Sequence, residues 1–218
     1  MEVDQPSGQH HLDDGVWQRT HVVGHDLLAG ESHVEVSGGT VDPARYLPFD
    51  REQLRAVERR FGHAVAVPET SERFEPAGVG HYDVDGVIEY VDVFAFDHDA
   101  NQRGTAWYWP RVRTELIKPG DDPIAALERA AREFMQGVLR GDSIDEDVMR
   151  SVERESERRL CESPRGGAEL TLEGRPARGH RITWGTSWFT AVDTGDPWLA
   201  ITVLGPERWS PVLRRSPS

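Results

Sequence analysis

The sequence predicts an α+β fold: an antiparallel sheet with a long central hairpin, a helical hairpin packed on it, and a C-terminal four-stranded β-meander. Two apolar, strand-like segments, 84–96 and 105–116, are separated by a short polar loop, which is the pattern of a hairpin. Two helical segments then follow one another, and the last third of the chain changes to short strand-like runs. Strands and helices grouped in this way favour α+β over a doubly wound sheet, in which they alternate.

The first helix is expected to begin directly after Asp50, whose side chain can accept hydrogen bonds from the first backbone N–H groups. Leu54, Val57 and Phe61 recur at helical spacing and predict one buried face. Gly62 ends this pattern, as glycine often does at a helix C-terminus.

Residues 63–67 are predicted to form a short strand that ends at the following proline. Residues 68–80 are polar and contain a proline and two glycines, so we expect a loop there. The hairpin follows, and its loop of residues 97–104 is rich in turn-forming residues.

The helical hairpin is predicted from its caps and its apolar stripe. Asp122 can cap a helix that has Pro123 at its first position. This helix, 123–140, carries a broad apolar stripe, which consists of Ile124, Leu127, Ala131, Phe134, Met135, Val138 and Leu139. Ser143 and Glu146 have the spacing of a capping box, which predicts the start of a further helix.

The domain organisation follows from changes in composition. Residues 1–14 have too few apolar side chains to offset the entropy of ordering them. The strand-like runs of the predicted meander are 169–173, 180–184, 187–193 and 198–204. The predicted division is a flexible tail (1–14), an α+β core domain (15–162), a β-meander packed on the core (168–205) and an exposed tail (206–218).

Composition excludes several classes of function. Asp and Glu number 38 against 25 Lys and Arg, which gives a net charge of −13, and this charge repels nucleic acids and anionic membrane surfaces. Cys161 is the sole cysteine, so no intrachain disulfide can form. The chain shows neither a signal peptide nor an apolar run of about 18 residues. We therefore expect a cytoplasmic protein. Apart from a single lysine, Lys118, the basic side chains are arginines, which suggests a bacterial genome.

Asp97, Asp99 and Asn101 alternate like the oxygen ligands of a calcium loop. The match fails at the positions that require glycine and glutamate, which hold Gln102 and Tyr108. We interpret this segment as a hairpin tip whose side chains bond their own backbone.

His21 and His25 are four residues apart, a spacing that brings two imidazoles together on a helix. The intervening Val22-Val23-Gly24 disfavours a helix, and the glutamate of a zinc-protease motif is missing. We therefore expect neither zinc nor calcium, and no cofactor.

The most informative candidate site is one face of the predicted hairpin. On its second strand two tryptophans and two arginines occupy alternate positions, so all four share a face. On its first strand two carboxylates interrupt an apolar run, and a buried carboxylate has to be paired. The candidate ligand-binding residues are Glu89, Asp92, Trp107, Trp109, Arg111 and Arg113.

The register of the hairpin decides which carboxylate joins the arginines. If the loop spans 97–104, Asp92 lies on the Trp/Arg face; if it spans 97–103, Glu89 lies directly opposite Arg111. In both registers we expect Arg111 to lie within salt-bridge reach of one carboxylate.

Two functional interpretations compete for this face. Its tryptophans and arginines can clamp a small planar or anionic ligand, or the face is core that the helix 123–140 covers. The sequence shows no assembled set of nucleophile, base and orienting group. We therefore expect a non-catalytic binding or regulatory protein that acts through contacts with a protein partner. A basic partner would complement the negative charge of this chain. The alternative is an enzyme or small-molecule-binding protein with its site on the 84–116 hairpin, and the oligomeric state stays open.

Overall fold

The computed structural model describes residues 10–11, 47–103, 110–117, 121–140, 145–196 and 198–215. The helices in these residues are α1 (Arg51–Phe61), α2 (His98–Gln102), α3 (Pro123–Arg140) and α4 (Glu146–Glu162). The strands are β1 (His10–His11), β2 (Ala66–Pro68), β3 (Phe74–Val84), β4 (Val87–Asp97), β5 (Arg111–Leu116), β6 (Arg165–Leu172), β7 (Arg175–Trp184), β8 (Ser187–Val192), β9 (Leu199–Pro206) and β10 (Val212–Arg215).

The described strands form one sheet in the order β1-β3-β4-β5-β9-β8-β7-β6-β10-β2. The pairing of β6 with β10 is parallel, and the other pairings between described strands are antiparallel. The predicted α+β class is therefore confirmed, and β6 to β9 form the four-stranded meander. Because β5 pairs with β9, the strands β3, β4 and β5 belong to the same sheet as the meander.

The sheet curls until it is nearly barrel-shaped, which the sequence pattern did not predict. β2, the last strand in the order, packs against β3, β4 and β5. There the backbone N–H of Ala66 donates to the hydroxyl oxygen of Thr114 at 2.9 Å. The curl separates an inner face, filled by side chains, from an outer face that α3 and α4 partly cover.

Helix α1 packs against the inner side of the sheet. Its buried Leu54, Val57 and Phe61 belong to the same apolar cluster as Val91 and Val93 of β4. The predicted caps of this helix are confirmed, because Oδ1 of Asp50 accepts from the N–H groups of the second and third helical residues at 2.8 and 3.0 Å and Gly62 has a left-handed φ of +79°.

Helices α3 and α4 cover the outer face of the meander. Leu127 and Met135 of α3 and Leu160 of α4 pack on Ile182 of β7 and Phe189 of β8. This apolar layer confirms the predicted helical hairpin on the sheet. None of the helices in the described part of the chain is long and apolar enough to span a membrane.

The start of α4 differs from the prediction. Its cap is Asp145, whose Oδ1 accepts from the backbone N–H groups of Asp147 and Val148 at 2.8 and 3.2 Å. The predicted cap, Ser143, lies outside the described residues. Aspartate and serine are both good N-cap residues, and Ser143 and Asp145 are close together. The sequence therefore did not show which of the two caps the helix.

Two segments predicted as irregular are strands. Most of the predicted loop 68–80 belongs to β3, which tolerates Pro76 because the register shifts next to it. A two-residue turn, Asp85-Gly86, then joins β3 to β4, and both of its residues have positive φ. The segment 206–215, predicted to be exposed, contains β10 and the buried Trp209, because β10 finds its partners in β6 and β2.

Candidate functional site

The candidate face is built on the pairing of β4 with β5. Asp92 lies opposite Arg113 and Phe94 lies opposite Arg111. Asp92 therefore shares the face of the arginines, as in the first of the two predicted registers, but its partner is Arg113 rather than Trp109. The register differs because the predicted loop contains α2, which Asp97 caps with its Oδ1 accepting from Ala100 N at 3.0 Å.

An ion-pair network connects this face to α3. Arg113 donates from Nε and Nη2 to the two carboxylate oxygens of Asp92 at 2.9 and 3.1 Å, and from Nη1 to Glu133 of α3 at 2.6 Å. Its guanidinium carbon lies 3.5 Å from the centre of the Tyr90 ring. The predicted contact of Arg111 with Asp92 is confirmed at 3.8 Å between Nε and Oδ2, but Arg113 makes the closer contacts.

The Arg113–Asp92 pair of this network is sealed under the helix. The side chains of Arg113 and Asp92 are 3% and 5% exposed, and the space beside the arginines under Leu127 and Ala130 is about 10 Å³. That volume is at the lower limit for one water molecule. The Arg113–Asp92 pair is therefore a buried structural ion pair between β4 and β5, on the side of the sheet that α3 covers.

The two arginines differ in their electrostatics. Burial lowers the pKa of Arg111, and the attraction of Asp92 offsets part of that effect. Burial also opposes the charge of Arg113, but the carboxylates of Asp92 and Glu133 outweigh it and raise the pKa of Arg113. Burial raises the pKa of the Tyr90 hydroxyl as well. Arg113 is thus the cation around which this layer is organised.

A cleft of about 460 Å³ opens next to the sealed layer of Asp92, Arg111 and Arg113. It lies between α3 and the outer face of β3, β4 and β5. Aromatic, acidic, basic and apolar side chains all contribute to its wall. The lining residues are Tyr82, Glu89, Tyr90, Glu115, Leu116, Arg129, Glu133, Gln136, Gly137, Arg140 and Met149.

An irregularity in β4 places two neighbouring residues at this cleft. Tyr82 pairs with Tyr90, whereas Asp83 pairs with Ile88, so Glu89 is an extra residue in β4. Ile88 consequently joins the core cluster, and both Glu89 and Tyr90 line the cleft. The rings of Tyr82 and Tyr90 stack at 5.2 Å between centroids and 16° between planes.

Arg129 of α3 binds a carboxylate on the opposite wall of the cleft. Arg129 donates from Nη2 to Glu115 at 2.5 Å and also pairs with Asp121. Burial raises the pKa of Glu115, and its hydrogen bond and charge interaction with Arg129 offset part of this increase. The site therefore contains a desolvated carboxylate held in one orientation by a guanidinium.

The structure separates the predicted site residues into groups. Glu89 lines the cleft, and Asp92, Arg111 and Arg113 lie in the sealed layer next to it. The predicted tryptophans, Trp107 and Trp109, lie outside the described residues.

Of the described residues that line the cleft, only Glu89 was selected from the sequence, and the residues that were missed include Tyr82, Glu115, Arg129 and Glu133. Glu115 continues the alternation of Arg111 and Arg113 along β5, and this signal was available. Arg129 and Glu133 are four residues apart on one side of α3, but only the packed helix shows which strand they meet.

No metal site appears in the described parts of the chain, where no group of three or more His, Cys, Asp or Glu side chains converges. In the loop considered for calcium, Asp97 caps α2 and binds Arg73 with N–O distances of 3.0 and 2.7 Å. His21 and His25 lie outside the described residues. Comparison of the chain with protein-family models, curated proteins and solved structures gave no match.

Proposed function

We propose that the protein binds a small organic molecule in the cleft between α3 and the strands β3, β4 and β5. The observation that carries this proposal is the cleft itself: its volume of about 460 Å³ lies in the usual range of ligand pockets. Stacked tyrosines provide an apolar surface, and carboxylates, guanidinium groups and the amide of Gln136 provide polar contacts. This combination is typical of sites that orient a small ligand.

The supporting framework is rigid in the way that a binding site requires. The Arg113–Asp92–Glu133 network attaches α3 to the sheet directly behind Tyr90, and Arg129 attaches the same helix to Glu115. Side chains whose orientations are held by such contacts lose little further entropy when a ligand binds.

Gly137 offers a direct test. It lines the cleft from α3, and a Cβ added to it would meet nothing within 4 Å. Gly137→Phe should therefore fill the cleft without disturbing the helix, and Gly137→Ala is the matched control. Benzamidine, benzamide and benzoate serve as probes, because they are planar molecules of similar size, and two-dimensional NMR spectra of nitrogen-labelled protein report their binding.

We expect at least one probe to give saturable shifts at the amides of Tyr90, Glu115 and Gly137. Gly137→Ala should retain this binding and Gly137→Phe should abolish it. The proposal is wrong if no probe binds saturably, or if Gly137→Phe binds the probes as well as the wild type does.

A protein partner is the second candidate, and two exposed apolar side chains favour it. Val87 and Trp198 are 60% and 70% exposed. They lie at the same end of the sheet, because β5 runs antiparallel to both β4 and β9. With a net charge of −13, such a surface suits a basic protein that has an apolar contact. Affinity capture from an extract of the source cells should retain that partner on the wild type and lose it on Val87→Ser/Trp198→Ser; equal retention on both would contradict this role.

A further inference from the structure

The charge and ring geometry of the cleft point to a class of ligand: we infer that it binds a small organic cation, an amine or amidinium attached to a planar group. This inference rests on the proposed function, since it names the ligand class of the same cleft. It is carried by the ratio of carboxylates to arginines around Arg129 and by the tyrosine rings beside them.

Among the described residues, the group around Arg129 contains two carboxylates and one guanidinium, which leaves an excess of negative charge. Glu115 and Asp121 share this one guanidinium, and the side chain of Glu115 is only 6% exposed. An excess negative charge that has lost much of its water is stabilised by a cation placed within hydrogen-bond distance.

The ring of Tyr82 supplies the second part of a cation site, because the two faces of the Tyr90 ring are covered by Arg113 and by Tyr82 itself. Tyr90 already carries the guanidinium of Arg113 at 3.5 Å from its ring centre, with Asp92 and Glu133 as the paired carboxylates. The protein thus uses an aromatic face together with carboxylates to hold a cation in its own interior. The cleft beside it presents the same kinds of groups, Tyr82 and Glu115 among them, to a ligand.

An anionic ligand fits this wall less well. Arg129 is engaged by Glu115 and Asp121, and the other cation among the described lining residues, Arg140, lies at the end of α3. An anion in the cleft would also meet the carboxylates of Glu89 and Glu133. The net charge of −13 adds a long-range field that attracts cations and repels anions.

The experiment compares benzamidine, benzamide and benzoate, which share a planar ring and differ in charge. We expect benzamidine to bind the wild type at least about tenfold more tightly than benzamide, and benzoate to bind more weakly than both. Added salt should weaken the binding of benzamidine and leave that of benzamide unchanged.

Two variants locate the charge that is recognised. Glu115→Gln should weaken benzamidine about tenfold and leave benzamide unchanged, because the substitution removes charge at nearly constant shape. Glu89→Gln makes the same comparison at the half-buried edge of the cleft, and it keeps the inference testable if Glu115→Gln does not fold. A thermal melt of each variant checks folding before the titration.

The outcomes separate this inference from the proposed function. If benzamide or benzoate binds as tightly as benzamidine and Gly137→Phe abolishes that binding, the cleft is a ligand site but the cation inference is wrong. Benzamidine binding that neither glutamine variant weakens also overturns the inference. If none of the probes binds, or if Gly137→Phe has no effect, the proposed site itself is wrong.

Discussion

Replacing Arg113 with methionine tests how much the buried Arg113–Asp92 pair contributes to the stability of the fold. The substitution keeps much of the side-chain volume but removes both hydrogen bonds to Asp92, whose side chain is 5% exposed. Removing one partner of a buried ion pair costs about 3–5 kcal/mol, because the other charge stays buried. Glu133 is 45% exposed and can regain water, and Arg111 keeps its contact to Asp92. We therefore expect a loss of about 3 kcal/mol, at the lower end of this range.

Two further variants make this reasoning specific. Arg111→Met should cost about 1 kcal/mol, because Arg111 approaches Asp92 only to 3.8 Å. Arg113→Met/Asp92→Asn should be more stable than Arg113→Met by about 1–2 kcal/mol, since the isosteric amide removes the buried negative charge.

Urea denaturation followed by circular dichroism measures these differences in the free energy of unfolding. An Arg113→Met variant within about 0.5 kcal/mol of the wild type, a change typical of surface positions, would refute the structural role of the pair. A double variant that is less stable than Arg113→Met would show that the loss does not come from the charge of Asp92.

Three other variants test the helix and the cleft. Leu127→Ala should destabilise the fold by about 2–5 kcal/mol, because this side chain is buried between α3 and the sheet; a urea melt that matches the wild type would contradict this. Gly137→Ala should stabilise the protein by about 0.5–1 kcal/mol through helix propensity, since its Cβ enters open space; a lowered thermal midpoint would show that the glycine is needed there. Glu115→Gln tests the pH dependence. Burial raises the pKa of Glu115, so the stability that this group contributes is fully present below its ordinary pKa and is lost as the pH rises through the raised value. Urea melts between about pH 4 and pH 7 should therefore show the wild type losing stability relative to the variant; a gain would mean that pairing with Arg129 lowers this pKa.

Elements with short-range signals were predictable from the sequence. The caps of α1, Asp50 and Gly62, act on backbone groups within a few residues of themselves. The apolar stripe of α3 and the short runs of the meander depend on periodicity along one segment. Such signals need no knowledge of what the segment packs against.

The strands β3 and β10 show where this reasoning stops. Proline and glycine in β3 have low strand propensity, and the strand exists because β4 pairs along nearly its whole length. β10 pairs with β2 and β6, and β2 is distant from it in the chain. The curl of the sheet brings β2, paired with β10, back against β4 and β5, so the local pattern did not contain it.

The candidate site divides in the same way. The alternation of β5 determined that Arg111 and Arg113 share a face, because a period of two residues is a property of the strand itself. The need of a buried carboxylate for a cation determined that Asp92 or Glu89 would meet them. The choice of Asp92, the extra residue in β4 that brings Glu89 to the cleft, and the approach of α3 were decided only by the tertiary structure, because each depends on contacts between segments far apart in the chain.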